Sequence, residues 1–242
     1  MMRGIVLART DFREYDQIIT IYTKTCGKQS FIARGVKRST SKNTSFLLEF
    51  SCITFGTVSG KEWQYITNVH GENYFTGIRN NIQKSVYATV AIRGLERMLK
   101  QNEQDEPLFD FFYSWLLVLD QTKNCSSIIL DYFFLQVLSF LGFSPELERY
   151  GDSEQMVQNE SAFFSFSSGC FLYNTEHISQ TIKHGFVLSY SARWVLLQLQ
   201  KGIVEDVSNS VAKEVHGFVY AFACFCLETP LLDWKMAEKW VD

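Results

Sequence analysis

Short runs of alternating hydrophobic and polar residues fill the first 75 residues of the chain. The five runs read RGIVLAR, QIITIYTK, KQSFIAR, SCITFGTV and KEWQYITNV, and the breaks between them include TCGK, KRSTSKNTS and SGKE. A period of two is typical of strands that bury one face, and Gly, Ser and Asn are typical of turns. The pattern predicts a small five-stranded barrel.

From residue 81 onward the hydrophobic period becomes helical. Apolar residues recur every three to five positions in 82–99, 108–119 and 207–222, and residues 127–141 are apolar on nearly every side. These patterns predict amphipathic helices around one central, covered helix, which ends at Gly142 with Pro145 beyond it.

Residues 146–185 interrupt the helical pattern with a polar segment that contains FFSFSSGCFLY. Two short alternating runs flank Ser168 and Gly169, which predicts a small hairpin lobe inserted between helices. The predicted fold is therefore α+β. A five-stranded barrel of residues 1–79 precedes an otherwise all-helical domain of residues 80–242, into which the lobe is inserted.

Length and composition exclude several classes of protein. With 242 residues, of which 46% are hydrophobic, the chain can bury one large core or two smaller ones and is not disordered. The apolar run 5–8 is too short for a signal peptide, and the longest apolar segment, YFFLQVLSFLGF, is shorter than the ~18 residues of a membrane span. We expect a soluble cytoplasmic protein.

The residues that commonly bind metals or act in catalysis do not occur at the spacings that known sites require. Six cysteines are scattered without a CxxC pair, and four histidines show no HxxxH or HExxH spacing. The segment GTVSGK is one residue short of a phosphate loop, and STSK has no SDN or KTG partner. We therefore predict no metal, no cofactor and no enzymatic activity.

Charge is distributed unevenly along the chain. Residues 1–80 hold eleven Lys and Arg against six Asp and Glu, whereas residues 81–242 hold twelve against twenty. Between Asp16 and Glu49 the chain has no acidic residue in 32 positions. This segment predicts a surface that binds a polyanion, although a solvated face is the alternative.

The candidate binding residues lie in this segment. They are the six basic residues Lys24, Lys28, Arg34, Lys37, Arg38 and Lys42, together with Tyr22 as a candidate for base stacking. In the fifth run, alternation places Trp63 and Tyr65 on one face, which we interpret as part of the barrel core, with a base-stacking platform as the alternative.

The run DFREYDQIITIYTKTCGKQSFIARGVKRSTSKNTSFLLEF resembles the N-terminal motif of the RecO family of bacterial recombination mediators. The motif includes Glu14, Asp16 and Thr23, then Gly27-Lys28, Ala33-Arg34-Gly35, Arg38, Ser41, Leu47 and Phe50. A second run, FFLQVLSFLGFSPEL, is similar to the central helix of the family and the turn that follows it.

The resemblance implies an OB-fold domain, a helical domain and a non-enzymatic role in DNA repair and the DNA damage response. Family members bind single- and double-stranded DNA and anneal complementary strands. With RecR they help to load the recombinase onto DNA coated by single-strand-binding protein. The resemblance also implies a cytoplasmic, nucleoid-associated location and, on the central helix, a contact between Tyr132, Leu135 and Gln136 and the tail of single-strand-binding protein.

The chain departs from the family pattern at two places. Many members carry two CxxC pairs for zinc in the lobe, where this chain has Tyr150, Ser153, Tyr173 and Glu176, so we expect a zinc-free lobe. Some members carry basic side chains where this central helix has Asp131 and Tyr132, and we expect Asp131 to repel an acidic tail.

A protein of a different class would also fit the charge pattern. A protein-interaction adaptor, with a basic barrel that docks an acidic protein, needs the same cationic segment. Annealing of complementary oligonucleotides would separate the two hypotheses, because an adaptor has no reason to anneal DNA.

Overall fold

The structure, a computed structural model, describes residues 1–153, 155–173, 184–231 and 233–239. Contacts divide the chain into two compact units, residues 1–123 and 124–242. The boundary that we predict at 79/80 marks the change from strands to helices, but three helices join the strands in the first unit. As a domain boundary it stays a prediction.

The first unit is built on a closed barrel of five strands. The strands are β1 (Met2–Phe12), β2 (Asp16–Thr23), β3 (Gly27–Ala33), β4 (Cys52–Ser59) and β5 (Gln64–Asn73). They pair in the order β1-β2-β3-β5-β4, and β4 pairs back with β1. The pairs are antiparallel except β3 with β5, which are parallel. The predicted OB-fold barrel is confirmed.

The barrel core comes from the inward positions of the strands and from the segment between β3 and β4. Ile19 and Ile21 of β2 are fully buried, and the rings of Phe31 and Phe55 meet edge to face with centroids 5.2 Å apart. Val36 and Leu47 extend this core from outside the strands. The segment 34–51 is therefore fixed to the barrel at both of its ends.

Strand β5 has the opposite phase to the one that we predict. Ile66 is buried while Tyr65 is partly exposed and Trp63 is exposed, so Trp63 and Tyr65 are not core residues and that interpretation is wrong. The cause is a bulge. Asn68 adopts a left-handed φ of 47°, and the pairing of β4 with β5 shifts register there. One extra residue moves every preceding side chain to the other face of the sheet.

Three helices complete the first unit: α1 (Thr76–Arg79), α2 (Ile82–Met98) and α3 (Glu106–Gln121). Asn81 and Asp105 cap α2 and α3 by accepting hydrogen bonds from the backbone N–H groups of Lys84 and Leu108. The stripe on α3 is buried as predicted, comprising Leu108, Phe112, Trp115 and Leu119. On α2, however, Ile82, the first residue of the helix, is exposed.

The second unit surrounds the predicted central helix, α4 (Ile128–Phe140). The other helices among the described residues of this unit are α5 (Tyr190–Gln200), α6 (Asn209–Cys226) and α7 (Trp234–Glu238). Nine of the thirteen residues of α4 are buried, which confirms that other elements cover it. None of the helices in the described residues is long and apolar enough to span a bilayer.

The lobe of the second unit is larger than the predicted hairpin. Its strands are β6 (Glu146–Tyr150), β7 (Ala162–Ser165), β8 (Cys170–Phe171) and β9 (Gly185–Leu188), which form one sheet in the order β6-β8-β7-β9. The hairpin of β7 and β8 is present, with Gly169 at a φ of 67° in its turn. Residues 174–183 of the predicted lobe lie outside the described residues.

Candidate nucleic-acid interface

The loop of residues 34–42, called here the basic loop, leaves β3 at one rim of the barrel. The backbone N–H of Gly35 donates to Asp16 Oδ1 over 2.8 Å, and the N–H of Lys37 donates to the carbonyl of Tyr15 over 3.0 Å. With Val36 buried in the core, these bonds hold the basic loop against the turn between β1 and β2. The hydrogen bond between Asp16 and Gly35 thus links two residues of the motif that lie 19 positions apart in the sequence.

Three of the predicted basic residues are exposed on this loop and free of carboxylates. Arg34, Arg38 and Lys42 form no salt bridge with any described residue. Lys37 is different, because its Nζ lies 2.8 Å from Asp11 Oδ2. Hydrogen bonds from Gln17 and Lys37 lower the pKa of Asp11, so this carboxylate stays charged beside Lys37. The loop therefore offers three uncompensated cations.

Lys24 and Lys28 lie at the opposite end of the β2–β3 hairpin from Arg34. The hairpin pairs Gln17 with Ala33 at one end and Thr23 with Gly27 at the other, a distance of about 20 Å at 3.3 Å per residue. The structure therefore does not bring these two lysines to the basic loop.

Both lysines have partners in the helices of the first unit. Lys24 Nζ lies 2.9 Å from Asp110 and 2.9 Å from Glu106, and the hydrogen bonds to Asp110 and Glu106 raise the pKa of Lys24. Lys28 donates to the carbonyl of Glu96 in the last turn of α2, and burial lowers the pKa of Lys28. Both lysines therefore lie outside the candidate interface.

Tyr22 is not available for stacking on a base. Its side chain is fully buried against Phe109, and its hydroxyl donates to the carbonyl of Asp105 over 2.9 Å. Burial raises the pKa of Tyr22, as expected for a hydroxyl without water around it. The prediction that Tyr22 is a stacking residue is wrong, because helix α3 covers this face of the barrel.

Other aromatic rings of the first unit, exposed or half-buried, lie near the basic loop instead. The Arg34 guanidinium lies over the ring of Tyr65 at 3.8 Å, and that of Arg38 lies over Tyr15 at 5.1 Å. Trp63 contacts Phe12, with ring centroids 6.4 Å apart. Proteins that bind single-stranded nucleic acid use cationic groups to contact the phosphates and aromatic rings to stack on the bases. The alternating guanidinium groups and rings on this surface supply both. Tyr15 and Phe12 were not among the candidate binding residues predicted from the sequence, although DFREYD places two rings at the break between the first two strands.

The predicted partner residues on α4 are largely engaged within the second unit. Leu135 is buried, and the side-chain amide of Gln136 donates to the carbonyls of Leu199 and Gln200 at the end of α5. Tyr132 is partly buried, and burial raises the pKa of Tyr132. The prediction that Tyr132, Leu135 and Gln136 form a docking surface for an acidic tail is wrong for Leu135, which is inaccessible, and for Gln136, whose amide is already bonded.

Asp131 does not face solvent either. Its side chain is fully buried, and its Oδ1 lies 2.7 Å from Nδ1 of His216 on α6. Asp131 is therefore bonded inside the second unit and is not part of an exposed acidic surface, which argues against the expected repulsion of an acidic tail.

We predict that the purified protein contains no stoichiometric zinc and that a chelator leaves its melting temperature unchanged. Tyr150, Ser153 and Tyr173 offer no zinc ligand, Glu176 lies outside the described residues, and the described residues contain no group of three or more His, Cys, Asp or Glu that could hold a metal ion. Elemental analysis checks the first part and thermal unfolding with EDTA the second. One zinc per chain would contradict the prediction.

Both parts of the chain match models of one protein family. Residues 1–75 match the family described as recombination protein O N terminal, and residues 79–231 match recombination protein O C terminal.

Individual relatives agree with these matches. The DNA repair protein RecO of Rubrobacter xylanophilus is 29% identical over 170 residues, which cover 70% of this chain and 68% of the relative. The DNA repair protein RecO of Desulforamulus reducens is 25% identical over 242 residues, which cover 98% of this chain and 93% of that protein.

Proposed function

The chain belongs to the RecO family of DNA repair proteins, and from this we propose that it is a DNA-binding recombination mediator. In this proposal it binds single- and double-stranded DNA and anneals complementary strands. With RecR as a partner it helps to load the recombinase onto DNA coated by single-strand-binding protein. The role is non-enzymatic, and the protein works in the cytoplasm at the nucleoid.

The observation that carries the proposal is the set of free cations on the basic loop. Arg34, Arg38 and Lys42 are exposed and form no salt bridge with any described residue. Phosphate contacts supply much of the affinity of proteins for DNA, and each contact releases counterions from the nucleic acid. Three cations free to bind therefore support a phosphate-binding role.

The anchoring of the loop adds to this support. Val36 and Leu47 are buried in the barrel core, and the loop backbone is bonded to the turn between β1 and β2. A loop that is ordered before binding loses less conformational entropy when a strand binds to it. OB-fold barrels bind oligonucleotides through the face of strands 2 and 3 and through the loops between strands 1 and 2 and between strands 4 and 5. The basic loop is bonded to the first of these two loops, at Tyr15 and Asp16.

Annealing tests the proposal and separates it from the adaptor hypothesis. We expect the protein to bind both single strands and duplex, with affinity that falls as salt rises, and to accelerate pairing of two complementary oligonucleotides. Gel shifts with single strand, duplex and heparin, together with a fluorescence-quench annealing assay, measure these properties. Binding of heparin and DNA alike, without annealing, would instead support a basic barrel that docks an acidic protein.

A further inference from the structure

A polar cavity opens beside Trp63 in the first unit. Its volume is about 300 Å³, at the lower end of the range for small-ligand pockets. Three segments line it: Gln29 from β3, Glu62, Trp63 and Gln64 at the start of β5, and Gln101 with Asn102 from the connection between α2 and α3. One indole ring and four side-chain amides thus surround one cavity.

We propose that this cavity receives one unpaired nucleobase, which stacks on Trp63 and forms hydrogen bonds with the amides. The rim of the barrel would then prefer single-stranded over double-stranded nucleic acid. The inference rests on the proposed function, since it assigns a strand preference to the same DNA-binding surface.

The indole ring is held in place on a closed turn. The backbone N–H of Gly60 donates to the carbonyl of Trp63 over 2.8 Å, which closes the turn between β4 and β5. Phe12 supports the ring from one side, yet 37% of Trp63 remains exposed. An exposed, supported ring is suited to stacking, which is worth about the same for every base because every base has a π-face.

The amides supply both donors and acceptors for a base edge. Gln29 and Asn102 are already oriented by one another, since Gln29 Nε2 donates to Asn102 Oδ1 over 3.0 Å. An amide carries two N–H donors and a carbonyl acceptor, so each retains capacity for a base. Side-chain amides bond the edges of unstacked bases in single-stranded RNA recognition, where base edges are accessible.

The charges around the cavity separate the base from the phosphates. Glu62 lies in the lining and would repel a phosphate there, whereas Arg34 lies over Tyr65, two residues along the chain from Trp63. Trp63 is the last residue of the turn before β5 and Tyr65 is the second residue of β5. Two residues of extended backbone span about 7 Å, which is comparable to the size of a nucleotide. A single DNA strand can therefore place a base in the cavity and a phosphate on the basic loop. In a duplex the base is paired and cannot enter.

The test compares Trp63→Ala with the wild type on three ligands: a single strand, a duplex and an abasic single strand of equal length. Loss of one stacked base weakens affinity roughly 5- to 150-fold. We expect that loss on the single strand, less than about two-fold change on the duplex, and no change on the abasic strand. Trp63→Phe should retain most of the affinity. Gln101→Leu should weaken the single-strand complex alone.

Trp194→Ala is the matched control, because Trp194 is exposed to a similar extent, 42%, but lies on α5 in the second unit. It should leave all three affinities unchanged. Equal losses on single strand and duplex, or a loss that persists on the abasic strand, would overturn the inference while leaving DNA binding intact. A wild type that binds none of the three ligands would instead overturn the proposed function. If Trp63→Ala fails to fold, the wild type must still prefer the normal strand over the abasic one.

Discussion

Replacing Arg34, Arg38 and Lys42 together by Ala is expected to weaken DNA binding by roughly 10²- to 10³-fold at low salt. Each lost phosphate contact flattens the slope of log K against log salt by about 0.7 to 0.9, so the slope should fall by roughly 2 to 3. The loss should be similar for every DNA sequence, because phosphates carry no sequence information directly. Titrations at several salt concentrations measure both quantities.

The choice of three positions follows from the ion pairs. Lys37 is left in place because it pairs with Asp11, and its removal would free a carboxylate beside the loop. Lys24→Ala is the control, since Lys24 is engaged by Glu106 and Asp110 and should contribute little to the slope. A folded triple variant with an unchanged slope would show that the basic loop does not contact phosphates.

His216→Ala is expected to destabilise the second unit by about 3–5 kcal/mol. Asp131 on α4 is fully buried, and its Oδ2 has no hydrogen-bond partner in the described part of the chain. The bond to His216 is therefore the main compensation for a buried carboxyl group, and burial already raises the pKa of Asp131. The histidine ring also stacks on Trp234, with centroids 4.6 Å apart, so the substitution removes packing as well.

Thermal unfolding followed by circular dichroism measures this loss as a decrease of roughly 6–20 °C, at about 2–4 °C per kcal/mol for a chain of this length. Asp131→Asn keeps the shape of the side chain and a polar atom for His216, so it should lose only about 1 kcal/mol. If His216→Ala and Asp131→Asn lower the free energy of unfolding by the same amount, the carboxylate is not the group that His216 stabilises.

Periodicity was sufficient to predict the five barrel strands and the buried stripe on α3, but not the four-stranded sheet of the lobe. The five alternating runs became the barrel, and the stripe on α3 became a buried face, because burial of one face imposes its period on the sequence. The predicted phase of strand β5 is wrong for the residues before Asn68. A bulge at Asn68 depends on backbone geometry, which the alternation of residues does not encode.

The candidate site could be predicted only where its residues are local in sequence. The basic loop is a contiguous segment, and the structure keeps Arg34, Arg38 and Lys42 exposed. The predictions that Tyr22 and Lys24 belong to the binding surface failed for another reason. Their partners, Asp105 and Asp110, are more than 80 positions away along the chain, and no local pattern reveals such a contact.

The segment of residues 34–51 separates the positions that fold the protein from those that we propose to bind DNA. Val36 and Leu47 lie in the barrel core, while Arg34, Arg38 and Lys42 project into solvent from the same segment. Truncation of a buried side chain such as Leu47 costs about 2–5 kcal/mol of folding stability, whereas exchange of an exposed charge usually changes it by less than about 0.5 kcal/mol. The loop can therefore accumulate changes of charge, and with them changes of affinity, without loss of the fold. Under the proposed function, selection can tune the affinity for DNA while the barrel stays the same.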